Sequence, residues 1–266
     1  MSQLQVIDLS IATNNGLKLL DSLSFTCDTG SRLGLLGESG SGKSLTALAI
    51  IGLLNPNLDA QGTIRYQEVD ILGAPESDLC EIRGSEIAIV FQDPLASLDP
   101  VMKIGKQLAK PLKRYQGLKG DELQAGIEAA LIEVKITSPL RIANSYPHEI
   151  SGGERQRVAL ALALACQPKL LIADEITTSL DVSVQAEILA LLNELIESRG
   201  MSLIFITHDI AVAAQIVTEV VILQNGVLVE SGELQKIITD PTSDYATALI
   251  KSARSLDDLL AGLSEG

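Results

Sequence analysis

A glycine-rich turn, Gly37-Glu38-Ser39-Gly40-Ser41-Gly42-Lys43-Ser44, admits fewer folds than any other stretch of this chain. Its flanks matter as much as its glycines. Before it, Arg32-Leu33-Gly34-Leu35-Leu36 is a short, largely apolar run of strand length; after it, Leu45 to Ile51 reads as the first turns of a helix. Strand, tight turn and helix is the arrangement that the phosphate-loop pattern G-x-x-x-x-G-K-[ST] needs. Glycines let the backbone wrap so that successive N–H groups face one concavity, and the helix N-terminus adds partial positive charge. In that setting Lys43 would reach the β- and γ-phosphates of a nucleotide and the Ser44 hydroxyl would hold Mg²⁺. The plainer alternative is a surface turn followed by a lysine, and the strand and helix around it weigh against that.

The chain has 266 residues, 46% hydrophobic and 20% charged, so it is an ordinary globular chain with a real core, in one large α/β domain or two smaller ones. The net charge of −14 argues against a broad nucleic-acid-binding face, though not against a small local phosphate pocket. No apolar run approaches the roughly 18 residues of a membrane span; Leu45 to Leu54 and Val158 to Cys166 are the longest and are expected as core helices. The N-terminus lacks the basic region and apolar core of a signal peptide. Cys27, Cys80 and Cys166 are odd in number and far apart, which suits a reduced, cytosolic compartment, with each thiol expected to be buried and unreactive.

Along the chain, Gln3 to Ile11 and Leu23 to Cys27 read as strands around a turn at Asn14-Asn15-Gly16. Gly62 to Tyr66 and Ile87 to Phe91 are further strands. From Asp93 to Ile150 prolines at 94, 100, 111, 139 and 147 punctuate helical patterns, among them Leu123 to Val134, so this stretch is expected as a helical insert. The α/β pattern then returns: a helix over Glu154 to Cys166, a buried strand at Lys169 to Ala173, and a helix from Val184 to Ser198 capped by Gly200. A strand follows at Met201 to Thr207, then a hairpin around Asn225-Gly226. The tail from Leu256 is short, acidic and weakly amphipathic.

Further features add chemistry to the phosphate loop. Leu170 to Glu175 is an apolar strand ending in two carboxylates: Asp174 is placed to hold Mg²⁺ and Glu175 to act as general base for a water attacking a γ-phosphate. By itself such an ending is more often a solvated turn. Ser151-Gly152-Gly153, at the start of a helix, offers a hydroxyl and N–H groups as a second anion site, unless it is simply an N-cap with a flexible lead-in. One nucleotide does not need two such sites, so Ser151 and Gly153 are expected to grip a nucleotide held by another subunit.

In this order, Gly37 to Ser44, Gln92, Ile150-Ser151-Gly152-Gly153-Glu154, Ile172 to Glu175, Ser179-Leu180-Asp181 and His208 resemble ABC transporter ATPase subunits, over about residues 4 to 245. Phe91 to Pro100 and Tyr146-Pro147-His148-Glu149 are similar to the subgroup that imports dipeptides, oligopeptides and nickel. The resemblance implies a P-loop NTPase α/β core with a mainly parallel sheet and an N-terminal antiparallel part. The core would span 1–92 and 151–250, the helical insert 93–150 and a tail 251–266. It implies ATP and Mg²⁺ as cofactors, with Ser44, Gln92 and Asp174 at the metal. Gln92 would sense the γ-phosphate while its loop meets the permease, Asp181 would lie at the dimer seam, and His208 would contact the γ-phosphate and position Glu175.

The partners it implies are a second ATPase subunit set head to tail, identical or not, two transmembrane permeases and, indirectly, an extracytoplasmic solute-binding protein. No nucleic acid is expected, and the location implied is peripheral, on the cytoplasmic face of the cell membrane. A soluble ATPase switch and a non-hydrolysing subunit are the alternatives; the single domain without a heptad run weighs against the first, and intact Glu175 and His208 against the second.

The chain also departs from the family. The stretch Ile11-Ala12-Thr13-Asn14 has no aromatic where adenine is usually stacked, and Phe25 is expected in the core. Ile150 and Glu154 stand where Leu and Gln are commoner in the signature, and Ile176 where a proline is usual. Near the C-terminus Asp240-Pro241-Thr242 and Tyr245 fit the subgroup, but Ser243-Asp244 replace its His-Pro, and its cysteine cluster is absent.

Overall fold

A computed structural model describes residues 2–95, 97–178 and 180–253. The acidic tail from Leu256 and Ser179 lie outside the described residues. The elements run β1 (Ser2–Thr13), β2 (Lys18–Asp28), β3 (Arg32–Leu36), α1 (Lys43–Ile50), β4 (Leu58–Tyr66), β5 (Val69–Asp70), α2 (Glu76–Ile82), β6 (Ile87–Val90), α3 (Ile104–Gln116), α4 (Gly120–Glu133) and α5 (Pro139–Asn144). They continue α6 (Gly152–Leu164), β7 (Leu170–Asp174), α7 (Val182–Arg199), β8 (Ser202–Thr207), α8 (Ile210–Ala213), β9 (Glu219–Gln224), β10 (Val227–Glu233) and α9 (Leu234–Thr239). Residues 244–253 are also helical. This is the α/β fold of a P-loop NTPase. Contacts divide it into two compact units, one formed by Met1–Pro75 with the chain from Ser202 onward, the other by Glu76–Met201.

In the first unit the antiparallel sheet runs β2-β1-β4-β5. The β1–β2 ribbon is longer than the alternation predicts, because bulges at Asp8 and Ser22 interrupt the pattern: both have φ near +50°. Serine hydroxyls hold the bulged backbone, Ser24 Oγ accepting from Asp8 N at 2.8 Å and Ser10 Oγ from Ser22 N at 2.9 Å. A second set of strands runs β10-β9-β3-β8, with β9, β3 and β8 parallel. All of β8 is buried, as a strand covered on both faces must be, which is why it reads as an unbroken apolar run. The β9–β10 turn is the expected one: Asn225 and Gly226 both have positive φ, the requirement of a type I′ hairpin.

In the second unit β6 and β7 pair in parallel and β7 is wholly buried. Helix α6 begins at Gly152, earlier than the apolar pattern indicates, because Ser151 caps it. Helix α7 ends on Gly200, whose φ of 61° is the left-handed cap predicted. The prolines do not all delimit helices: α3 runs through Pro111. Proline removes the N–H that would bond the Gln107 carbonyl, a cost borne by burial of Ile104, Leu108 and Leu112 on the same helix. Cys27 is buried as expected, but Cys80 is exposed on α2 and Cys166 half-buried. No helix among the described residues is long and apolar enough to cross a membrane.

Candidate active site

The phosphate loop leaves β3 at Leu36 and enters α1 at Lys43. Gly37, Gly40 and Gly42 have φ of 148°, 82° and 100°, a backbone path that side-chain-bearing residues rarely follow. The wrap is also tight. A Cβ on Gly37 would sit 2.2 Å from the Leu223 carbonyl oxygen, and one on Gly42 would sit 2.4 Å from Leu20 Cδ2. No side chain caps the start of α1, and no acidic residue stands in its first turn. Lys43, only 3% exposed, turns its ammonium back over the loop to the carbonyls of Gly37 (2.8 Å) and Glu38 (2.9 Å). Ser41 Oγ is buried in the loop with no hydrogen-bond partner among the described residues, and the Ser44 hydroxyl is on an exposed residue. A concave loop with an uncapped helix start, a buried ammonium and an unsatisfied hydroxyl fits a phosphate chain.

His208 follows directly on β8. Thr207 is the parallel partner of Leu36, so His208 and Gly37 leave adjacent strands at the same end. It is exposed, and the next residue, Asp209, fixes the chain by accepting Ala211 N (2.8 Å) and Val212 N (3.3 Å) at the start of α8.

The second unit carries the carboxylates. Asp174 ends β7 and is 5% exposed; Glu175, half-buried, has φ of 48°. A left-handed glutamate is a costly conformation that surrounding structure must hold, here with Thr178 donating its hydroxyl (2.5 Å) and its N–H (3.3 Å) to the Glu175 carbonyl. Val90 of β6 pairs with Ala173 of β7, so exposed Gln92 and Glu175 each lie two residues beyond a paired position, leaving the sheet side by side. Ile176, in the place of a usual proline, is 1% exposed and packs into the core.

Ser151 caps α6 through a reciprocal pair: Glu154 N donates to Ser151 Oγ (3.3 Å) and Ser151 N donates to Glu154 Oε2 (2.8 Å). Burial pushes the Glu154 carboxyl up, but the Ser151 N–H and hydroxyl and the Arg141 guanidinium together hold it below its ordinary value. Arg141, which pairs with Glu154, escaped the sequence reading because nothing local marks it. Gly153 lies against Val184, at 3.2 Å from an added Cβ, which brings the signature turn beside the start of α7, where Asp181 is the N-cap. His148 stacks on Tyr146 at 5.6 Å between ring centroids, the structural role expected of it.

Ile11, in the stretch that lacks the aromatic, is fully buried between Leu20 and Ala60, and Phe25 is in the core as predicted. Beside that stretch an open depression of about 390 Å³ is lined by Thr13, Asn14, Asn15, Asn55, Asn57 and Leu58, with no ring among them to stack on a base.

Comparison with known proteins shows the family. The family model described as ABC transporter matches residues 20–178. The oligopeptide transport ATP-binding protein OppD of Haemophilus influenzae is 43% identical over 238 residues, 90% of this chain and 74% of that protein. A putative peptide import ATP-binding protein of Brucella abortus is 41% identical over 259 residues, 96% of this chain and 78% of that one. Among solved structures, the dimeric ATP-binding cassette MJ0796, in a post-hydrolysis state bound to ADP and Pi, superposes with a TM-score of 0.77 at 28% identity, covering 87% of this chain and 98% of that one. Nothing in these likenesses favours a soluble switch. The chain belongs to the ABC transporter family, as an ATP-binding and ATP-hydrolysing subunit.

Proposed function

We propose that this subunit drives peptide uptake through two partner permeases, and that the residues singled out above carry its hydrolysis. In this reading Gly37 to Ser44 hold the phosphates, with Lys43 at the β- and γ-phosphates. Ser44, Asp174 and Gln92 would hold Mg²⁺, which when bound offsets phosphate charge. Glu175 accepts a proton from the attacking water as its oxygen bonds to the γ-phosphorus; the bond to the bridging oxygen breaks and ADP leaves. His208 orients Glu175 and the water. Ser151, Gly152 and Gly153 serve the γ-phosphate of a nucleotide on a second ATPase subunit, head to tail, with Asp181 at the seam. Residues 93–150 form the helical insert that, with the Gln92 loop, meets the permeases on the cytoplasmic face; an extracytoplasmic binding protein delivers the solute.

The observation that carries the catalytic assignment is the left-handed Glu175 directly after buried Asp174, with Gln92 leaving the neighbouring strand beside it. Glu175→Gln is expected to retain ATP binding and lose hydrolysis by on the order of 100-fold or more. Near-normal turnover in that variant would remove Glu175 from the mechanism. Peptide rather than nickel is favoured because both relatives named above are peptide transport or import proteins. Purification of the tagged subunit from detergent-solubilised membranes, followed by uptake of labelled oligopeptide and of nickel by the reconstituted complex, tests the cargo. Recovery of only soluble partners would overturn the transporter role.

A further inference from the structure

Tyr245 lies 207 positions beyond Glu38, yet its hydroxyl accepts a hydrogen bond from the Glu38 N–H at 2.9 Å. That N–H belongs to the peptide group joining Gly37 to Glu38. The carbonyl on the other side of the same peptide plane is Gly37 O, which receives the Lys43 ammonium at 2.8 Å. In a trans peptide N–H and C=O point in opposite directions, so a partner that holds the one fixes the aim of the other. Gly37, with φ of 148°, has the backbone freedom to let that plane rotate if it is not held.

The segment that carries Tyr245 is itself clipped in place. Glu230, on β10 and 8% exposed, accepts Thr242 N and Ser243 N at 2.9 Å each, and the Ser243 hydroxyl at 2.8 Å. Ser243 Oγ in turn accepts Ala246 N at 3.0 Å, capping the helical segment whose first turn holds Tyr245. Burial pushes the Glu230 carboxyl up, but these donors outweigh it and hold it below its ordinary value. Three hydrogen bonds to a nearly buried carboxylate fix the backbone at Thr242 and Ser243, three and two residues before Tyr245, and Ser243 stands where the subgroup usually has another residue.

We propose that Tyr245 is a positioning residue for ATP: by pinning the Gly37–Glu38 peptide it sets the carbonyl against which Lys43 rests, and the Glu230 clip holds it there. The C-terminal segment thereby tunes how tightly the phosphate loop takes up nucleotide, without touching the reacting atoms. The inference rests on Gly37 to Ser44 being the phosphate site, and ATP binding by the unaltered protein tests that separately.

The test is Tyr245→Phe, which removes one oxygen and keeps the ring. ATPase kinetics of the transporter complex and equilibrium binding of a fluorescent ATP analogue are read together with the Tm of the nucleotide-free protein. The expected result is a rise of about three- to tenfold in both KM and Kd, with kcat within about twofold and Tm unchanged within about 2 °C. Glu230→Gln is expected to move KM in the same direction, and adding it to Tyr245→Phe to make KM no worse, because both act through one strap. Unchanged KM and Kd in Tyr245→Phe overturn the proposal, as does a fall in kcat and Tm at constant KM, which marks a purely structural tyrosine. Should Tyr245→Phe fail to fold, Ser243→Ala decides in its place, a raised KM supporting the proposal and an unchanged one overturning it. If the unaltered protein binds no ATP, the phosphate-site assignment fails instead.

Discussion

Two glycine-rich turns open helices in this molecule, and they are built on opposite plans. At the phosphate loop no side chain caps the helix start, the first turn holds no acid, and a methyl group would run into the Leu223 carbonyl at Gly37 and into the Leu20 side chain at Gly42. At Ser151-Gly152-Gly153 the cap is complete: Ser151 and Glu154 satisfy each other's N–H groups, an acid stands in the first turn, and Gly152 has open space where a Cβ would go. The first turn fits an anion taken up by its own chain, whereas in the second the Ser151 and Glu154 N–H groups are already bonded to each other's side chains and Ser151 and Gly152 stand exposed. That contrast is what a cassette needs if it holds one nucleotide itself and touches another from outside.

The same methyl group placed in each turn separates the two plans. Gly42→Ala meets Leu20 at 2.4 Å and a φ of +100°, and is expected to weaken ATP binding by the isolated subunit on the order of ten- to a hundredfold. Gly152→Ala meets nothing within 4 Å and is expected to change that affinity by less than about twofold. Calorimetric titration with ATP reads both, and equal losses would show that the two turns do the same job. Ser151→Ala separates the roles further. Nucleotide binding to the single subunit is expected to hold within about twofold, while hydrolysis by the assembled complex falls about tenfold. A loss of binding in the isolated subunit would assign Ser151 to its own nucleotide instead.

The smallest effect concerns the cap. Glu154→Ala removes the reciprocal bond to Ser151 N and is expected to cost about 1 kcal/mol in chemical unfolding. Glu154→Gln keeps a side chain that can serve the box, loses only the partly exposed pair with Arg141, and is expected to cost less. Because the folded Glu154 carboxyl sits below its ordinary value of 4.5, its contribution is fully present above pH 4.5 and is lost as the pH falls through the folded value. Unfolding of Glu154→Gln followed through that acid range is therefore expected to show a flatter pH dependence than the parent, and identical slopes would remove Glu154 as a titrating cap.

Much of the candidate site was legible because its elements are local. The loop needs glycines within a few residues of one another, the carboxylates end an apolar run, and Asn225-Gly226 can make few turns other than the one it makes. Other features were not legible because the pattern that reports them is interrupted or distant. Bulges at Asp8 and Ser22 throw the alternation of β1 and β2 out of phase. Pro111 reads as a helix boundary, yet packing along α3 overrides it. Cys80 looked like the other cysteines until α2 placed it at the surface. Arg141 carries no mark of its pairing with Glu154, since the α5 that presents it is placed by burial of Ile142.

The phosphate-loop motif, the strand ending in two carboxylates and the Asn225-Gly226 hairpin could be read from residue order, because each rests on residue types within a few positions of each other, where backbone geometry leaves few choices; the family could be read because several such motifs recur in one order along the chain. Packing is what holds Glu175 left-handed, brings Arg141 to the cap of α6, and sets a tyrosine 207 positions away against the loop's second residue. Those outcomes depend on which distant side chains packing brings within hydrogen-bond reach inside each unit, a matter of closing long loops that no local pattern records.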